Sequence, residues 1–417
     1  MSDNDILPID LPTEEKKIIK VIGVGGGGGN AVKNMYRTGI QDVSFVLCNT
    51  DRQALMESDI PVKLQLGPGL GAGNKPEVAT EYAEESIEEI RKQFQDGTEM
   101  VFITATMGGG TGTGAAPVVA RVAKEAGVLT VGVVTIPFKF ERRPKILQAL
   151  KGVDAISKHV DALLVINNER LREIHSSLSV DEGLAKADET LTNAVKSIAE
   201  IITVRGKINL DFRDVSKVLK DGGVAIMSFG KGSGEKRLAE AIENALHSPL
   251  LNDNDIYNSK RILFNIYGSS AHPLKIEELD EIDAFTAKFE DNNIEVIWGI
   301  ARDESLGEEV KITILATGFG VSNIPGMEKT IQINQPEPTP VVETPEGIEK
   351  RVEQEAKDKE MIEKYYGDAT LVSKRNYHTF TFKSDDLFND DLIDAVDSLP
   401  TYKRTKLDFA DLEAMRK

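Results

Sequence analysis

Lys16–Ile22 (KKIIKVI) is a short apolar run that breaks into five consecutive glycines, Gly25–Gly29, and then into the helix-like segment Asn30–Thr38. The pattern repeats further on. Met100–Ala105 is apolar, Gly108–Gly114 reads Gly-Gly-Gly-Thr-Gly-Thr-Gly, and Ala115–Ala126 is helix-like. Glycine loses more backbone freedom on folding than any other residue, so a packing turn alone does not explain such a run. A glycine turn between a strand and a helix lets a phosphate reach the backbone, where amide hydrogens and the positive end of the helix dipole face it. Two such turns on one sheet would grip a di- or triphosphate from both sides, with Thr111 and Thr113 adding hydroxyls. The spacing Gly23, Gly25, Gly28 also satisfies the dinucleotide fingerprint G-x-G-x-x-G. Gly230-Lys231 does not complete a Walker A motif, since Ala225 stands where its first glycine belongs.

The rest of the first half alternates in the same way. Val43–Cys48, Leu129–Thr135 and Asp161–Ile166 read as strands, and Glu77–Gln95 as one polar-faced helix. Strands that are apolar throughout and alternate with helices predict a parallel sheet covered on both faces. A longer helix follows, opened by a Ser179/Glu182 capping box. Its apolar positions, Leu184, Ala187, Leu191, Val195, Ile198 and Ile202, have helical spacing, and Gly206 ends it. A second αβ unit has strands near Val224–Phe229, Ile262–Tyr267, Glu295–Ala301 and Lys311–Thr317, with helices at Glu235–Leu246 and Ile276–Phe289. From about Asn334 prolines and charges replace apolar residues, which reads as a disordered linker. Apolar residues return in Asn389–Lys417, as in a partner-binding peptide. The predicted organisation is a flexible arm 1–15, a nucleotide domain 16–178, a central helix 179–206, an αβ domain 207–320, a linker 321–388 and a terminal peptide 389–417.

Composition narrows the function. Cys48 is the single cysteine and the five histidines are scattered, so neither an intramolecular disulfide nor a zinc site is expected, and a reducing compartment fits best. No protein metal site is expected. The net charge of −18 opposes binding to nucleic acid and direct adsorption to anionic membranes. Met1–Glu15 lacks the order of a secretory leader, and no run has the roughly 18 apolar residues of a membrane helix.

Asn209-Leu-Asp-Phe-Arg-Asp214 follows the long helix. Asp211 and Asp214 share a face if a helix begins here. The plain reading is that Asn209 or Asp211 caps that helix. Two other readings of the chain stand open. One is a nicotinamide-dependent oxidoreductase using Gly23–Gly28, with Asp51 on the ribose. The other is a nucleotide-binding scaffold that assembles but turns over slowly.

The motifs GVGGGGGNAV, Asn49-Thr-Asp51, GLGAG at Gly69–Gly73, GGGTGTGAAP and NLDFRD occur in this order, and the chain from about Lys17 to Gly320 resembles the FtsZ family of tubulin-like bacterial cell-division GTPases. The resemblance implies an α/β, tubulin-like fold: a Rossmann-like parallel-sheet GTPase domain joined by the long central helix to a smaller αβ domain, then a disordered tail. It implies GTP and GDP as ligands. Gly26, Gly27, Gly28, Gly29, Asn30, Gly110, Thr111 and Gly112 would lie on the phosphates, and Gly71, Ala72 and Gly73 over the γ-phosphate. Glu141 would hold the ribose, with Lys145 nearby, and Asn168 and Asp188 would read guanine. Mg²⁺ would be held mainly by phosphates and water.

The resemblance further implies that Asn209, Asp211 and Asp214 act on the nucleotide of the next subunit in a head-to-tail filament, the cytoplasmic division ring at midcell. Leu399–Arg404 is similar to the peptide by which the family meets a membrane-tethering adaptor such as FtsA. Three positions depart from the family. Lys145 replaces an arginine, after Arg142-Arg143-Pro144 in place of a glycine-led basic run, and Pro144 is expected to bend the backbone. Leu184 replaces an aromatic, and Arg213 a small residue. The stretch after Arg404 is expected to lie beyond the family's usual end.

Overall fold

The computed structural model describes residues 17–174, 179–204, 207–248, 256, 259–290 and 294–319. The N-terminal arm, Gly206, the linker and the terminal peptide lie outside them. In chain order the elements are β1 (Ile19–Val24), α1 (Gly25–Thr38), β2 (Val43–Asn49), α2 (Arg52–Met56), β3 (Val62–Gln65), α3 (Pro76–Glu85), α4 (Ile87–Lys92), β4 (Met100–Thr106), α5 (Gly110–Glu125), β5 (Leu129–Ile136), α6 (Arg143–Ser157), β6 (Ala162–Asn167), α7 (Asn168–Ile174) and the long α8 (Val180–Thr203). The second half adds α9 (Phe212–Leu219), β7 (Gly223–Gly232), α10 (Arg237–Leu246), β8 (Arg261–Gly268), α11 (Leu279–Glu290), β9 (Glu295–Arg302) and β10 (Val310–Phe319).

All ten strands form one sheet in the order β3-β2-β1-β4-β5-β6-β7-β10-β8-β9. β1 to β6 pair in parallel, as continuous apolar strands buried on both faces require. Their order, 3-2-1-4-5-6, is the doubly wound one, with its switch point between β1 and β4. The second half continues this sheet rather than building a separate one. β7 joins β6 in parallel over three residue pairs, beginning at Ala162↔Gly223. β10 then runs antiparallel to both β7 and β8, and β8 pairs in parallel with β9 at the outer edge.

Several elements differ from the sequence reading. α1 begins at Gly25 rather than Asn30, so the glycine run is the first turn of the helix and not a loop before it. α5 likewise begins at Gly110. The predicted helix Glu77–Gln95 is two, broken at Ser86. Pro144 does not bend α6; it occupies the first turn, where its missing N–H has no partner to lose. The Ser179/Glu182 capping box is present: Ser179 Oγ accepts from Glu182 N–H and a Glu182 oxygen accepts from Ser179 N–H.

The core lies between the sheet and its helices. α8 contributes Leu191, Ala194, Val195 and Ile198, all buried against strand residues such as Val133 and Leu164. Asn34 on α1 donates to Thr192 Oγ1 on α8 at 3.2 Å. That ties α1 to the long helix one turn beyond Asp188.

Candidate functional site: a nucleotide crevice and a distant acidic loop

The glycine turns leave the carboxyl ends of β1 and β4, the two strands that flank the switch point. Open α/β sheets bind ligands in the crevice at this place. The turns touch each other. Gly25 has φ +76, and a Cβ there would lie 2.8 Å from Gly112 N, so glycine is required for both conformation and space. Thr50 and Thr111 share a hydroxyl hydrogen bond of 2.7 Å, and Gly71 N–H donates to Thr50 O at 2.9 Å. A Cβ at Gly110 would press on Ala72, Asn74 and Lys75. The structure thus brings Ala72 against Gly110 and links Gly71 to Thr111 through Thr50.

Gly26 and Gly109 have no such internal reason to be glycine. Neither is left-handed, and a Cβ at either would meet nothing within 4 Å. Open space above a glycine backbone at a helix start fits an anion that approaches the amides directly. Asn30 and Gly26 are exposed and Gly27 is half-buried, whereas Gly28 and Gly29 face inward. A Cβ at Gly28 would sit 2.3 Å from Thr104 O. Gly28 therefore serves packing against β4 as well. Thr113 does not offer its hydroxyl to the crevice; it is buried and accepts from Gly108 N–H at 2.9 Å.

The far wall comes from β5 and β6. Glu141 Oε1 accepts from Phe138 N–H at 3.0 Å, and Glu141 pairs with Lys145 one turn on. Lys145 also lies beneath the second turn, where its backbone O would be 3.0 Å from a Cβ on Gly108. Arg142 between them adopts φ 74 and ψ 157, a region favoured by glycine. Asn168 opens α7 at the end of β6. It is buried, and its Oδ1 has no hydrogen-bond partner among the described residues. An orphaned buried amide oxygen at the end of a crevice strand is an acceptor waiting for a donor. Asp188 lies on α8, which packs against α7. Burial pushes its carboxyl up to about 6.

Sequence reasoning missed two parts of this wall. Phe138 and Phe140 stack at 5.1 Å between centroids, with Phe140 largely exposed, and Phe138 faces Gly183 on α8 beside the exposed Leu184. Gln148 holds the second turn by donating to Gly108 O and Gly109 O, both at 3.1 Å. The aromatic pair was visible as Phe138-Lys-Phe140. A lone glutamine inside a helix gives no signal.

Asp51, the ribose acid of the oxidoreductase reading, caps α2 instead: its Oδ1 accepts from Gln53 N–H (2.9 Å) and Ala54 N–H (3.2 Å).

Asn209, Asp211 and Asp214 are not in the crevice. They follow α8 and dock on β9 through an Ile208↔Ile300 bridge. Asp211 is the N-cap of α9, and Asp211 and Asp214 form a reciprocal capping box. The plain capping role thus holds. One oxygen of each carboxylate lies outside that box. β4 and β9 are six strand positions apart in the sheet order, roughly 29 Å at about 4.8 Å per spacing.

Fold and crevice define an α/β protein with paired glycine turns at the switch point of its parallel strands, the place where open α/β sheets bind ligands. The sequence model of the Tubulin/FtsZ family, GTPase domain, matches residues 18–176; that of the FtsZ family, C-terminal domain, matches 223–320; and one described as FtsZ, C-terminal, matches 374–416. "Cell division protein FtsZ" of Porphyromonas gingivalis is 51% identical over 406 residues, covering 96% of this chain and 88% of the relative. "Cell division protein FtsZ 1" of Thermococcus kodakarensis is 44% identical over 320 residues, covering 74% and 84%. The solved "FtsZ dimer, empty" of M. jannaschii superposes with a TM-score of 0.67 at 42% identity, covering 73% of this chain and 89% of that one. The chain belongs to the FtsZ family of tubulin-like GTPases. The third match runs to residue 416, so the stretch after Arg404 is part of a family segment and not an extension beyond it.

Proposed function

We propose that the chain is a GTP-hydrolysing protein that polymerises head-to-tail into the bacterial division ring, with each active site completed by the next subunit. The observation that carries the split site is the separation just described: the loop leading into Asp211 and Asp214 docks on β9, six strand positions from β4 and seven from β1, the strands the glycine turns leave. A carboxylate that orients attacking water must stand within hydrogen-bond reach of it, so these two serve a neighbour's nucleotide. A contact between unlike faces of identical subunits propagates as an open filament.

In this reading Gly26, Gly27, Gly28, Gly29, Asn30, Gly110, Thr111 and Gly112 hold the phosphates, and Gly71, Ala72 and Gly73 cover the terminal one. Glu141, paired with Lys145, reaches the ribose. Asn168 Oδ1 and the Asp188 carboxylate accept from the guanine amine and N1–H. Asn209, Asp211 and Asp214 of the adjoining subunit polarise and position the water. Phosphoryl transfer depends on such positioning and charge stabilisation. Among the described residues no group of three or more His, Cys, Asp or Glu is arranged to hold a metal. A magnesium ion would take its ligands mainly from phosphate oxygens and water, and when bound would neutralise charge on the transferring group.

No helix among the described residues is long and apolar enough to cross a membrane. Attachment at the cytoplasmic face of midcell would pass through Leu399–Arg404 to an adaptor such as FtsA. That peptide lies within the third family match.

Sedimentation with GTP and with GDP over a range of concentrations tests assembly, and a missing GTP-dependent pellet overturns it. Phosphate release should switch on above a threshold concentration and vanish in Asp211→Ala. Specific activity independent of concentration contradicts the split site.

A further inference from the structure

The outer strand β9 has β8 on one side only, and an open edge is a row of unpaired backbone groups. Here the acidic loop covers part of it. Ile300 N–H donates to Ile208 O at 3.1 Å, and Ile300 O accepts from Lys207 N–H at 2.8 Å and Ile208 N–H at 3.3 Å. The neighbouring residue is Gly299, whose backbone is not left-handed. Glycine is therefore not needed there for conformation. It is needed for space: a Cβ on Gly299 would lie 2.9 Å from Leu210 Cγ, 2.9 Å from Asn265 Oδ1 and 3.0 Å from Ile208 O. The first two are closer than real Cβ atoms come, and Ile208 O, a backbone atom that moves only with the loop, would have to give by a few tenths of an ångström. Leu210 is buried in this gap and immediately precedes Asp211. Asp211 in turn is locked to Asp214 by the capping box.

We infer that Gly299 is a positioning residue for GTP hydrolysis. By omitting a side chain it lets Ile208–Leu210 seat directly on the sheet edge, and that seat sets how far Asp211 and Asp214 project toward the neighbouring subunit's nucleotide. This rests on the split-site reading proposed above. A catalytic group displaced by about 1 Å loses on the order of a hundredfold in rate, so a methyl group at position 299 acts on turnover and not on the crevice.

The test uses the full chain carrying Gly299→Ala, beside Asp211→Ala and the unaltered protein. Gly299→Ala is expected to bind GDP normally, to sediment with GTP, and to release phosphate at least tenfold more slowly per sedimented subunit, with the KM for GTP unchanged. Leu210→Ala removes the seated side chain without adding an atom at position 299, and should give the same pattern. It stands in if Gly299→Ala does not fold. Unchanged turnover per sedimented subunit in the folded variant overturns the inference. If Asp211→Ala itself hydrolyses normally, the split-site reading fails; if Asp211→Ala is silent while Gly299→Ala is unaffected, only the role of Gly299 fails.

Discussion

Asp211 and Asp214 hold each other. Asp211 Oδ1 accepts from Arg213 N–H at 2.8 Å and Asp214 N–H at 3.0 Å, while Asp211 N–H donates to Asp214 Oδ2 at 3.0 Å. The capping role of Asp211 is therefore separable from the catalytic role proposed for it. Serine caps a helix as well as aspartate does, and alanine in place of a cap costs about 0.5–2 kcal/mol. Asp211→Ser should keep the melting temperature and abolish phosphate release. Asp211→Ala should lose both. Thermal unfolding and phosphate release on the same samples check this.

On the proposed reading, Asp188 gives guanine binding a pH dependence. Its folded carboxyl is raised to about 6 by burial, from an ordinary value of 3.8. The folded, nucleotide-free chain thus favours the protonated acid. Its contribution to stability is fully present below the ordinary value and is lost as pH rises through 6. Binding has the opposite sign, because guanine's donors need the carboxylate. GDP affinity should be flat above about pH 7 and fall by about tenfold per unit below 6. Titration with a fluorescent nucleotide should show that slope, and Asp188→Asn should flatten it.

Arg142 stands at φ 74 beside Glu141. A non-glycine residue in such a region costs about 1–3 kcal/mol. Arg142→Gly should raise the unfolding midpoint by a few degrees. A lowered midpoint would mean that the guanidinium makes a compensating contact worth more than the strain.

Gly26 and Gly28 should respond in opposite ways to the same methyl group. At Gly26 a Cβ meets open space, and alanine in a helix favours folding by up to about 1 kcal/mol. Gly26→Ala should therefore fold at least as well as the parent but bind GTP more weakly. At Gly28 the Cβ would collide with Thr104 O, so Gly28→Ala should unfold at lower temperature. Melting curves and nucleotide titrations compare the two.

What could be read from the sequence was whatever carries a pattern. The glycine turns, the apolar parallel strands, the Ser179/Glu182 box and the three-residue spacing of Asp211 and Asp214 all announce themselves. The start of α1 did not, because glycine has almost the poorest helix propensity and a run of it hides the first turn that packing imposes. α6 was masked by Arg142-Arg143-Pro144, and β3 by its short, exposed VKLQ sequence. The antiparallel placement of β10 between β7 and β8 depends on partners far away in the chain. Asn168 and Asp188 came only through resemblance, since a single amide and a single acid have no periodicity. Gly299 looked like any glycine in a strand until Leu210 and Ile208 were seen above it.

The six strand positions between phosphate turns and acidic loop have a bookkeeping consequence for any row of these molecules. On the split-site reading, a row of n subunits holds n nucleotides but only n − 1 finished sites. A pair turns over one nucleotide of its two, and long rows approach one per subunit. The two termini are chemically unlike: one shows a loaded crevice that no loop reaches, the other an acidic loop with nothing to act on. On that reading the nucleotide at the first terminus is the one in the row that no acidic loop reaches, so hydrolysis spares it while the interior sites turn over.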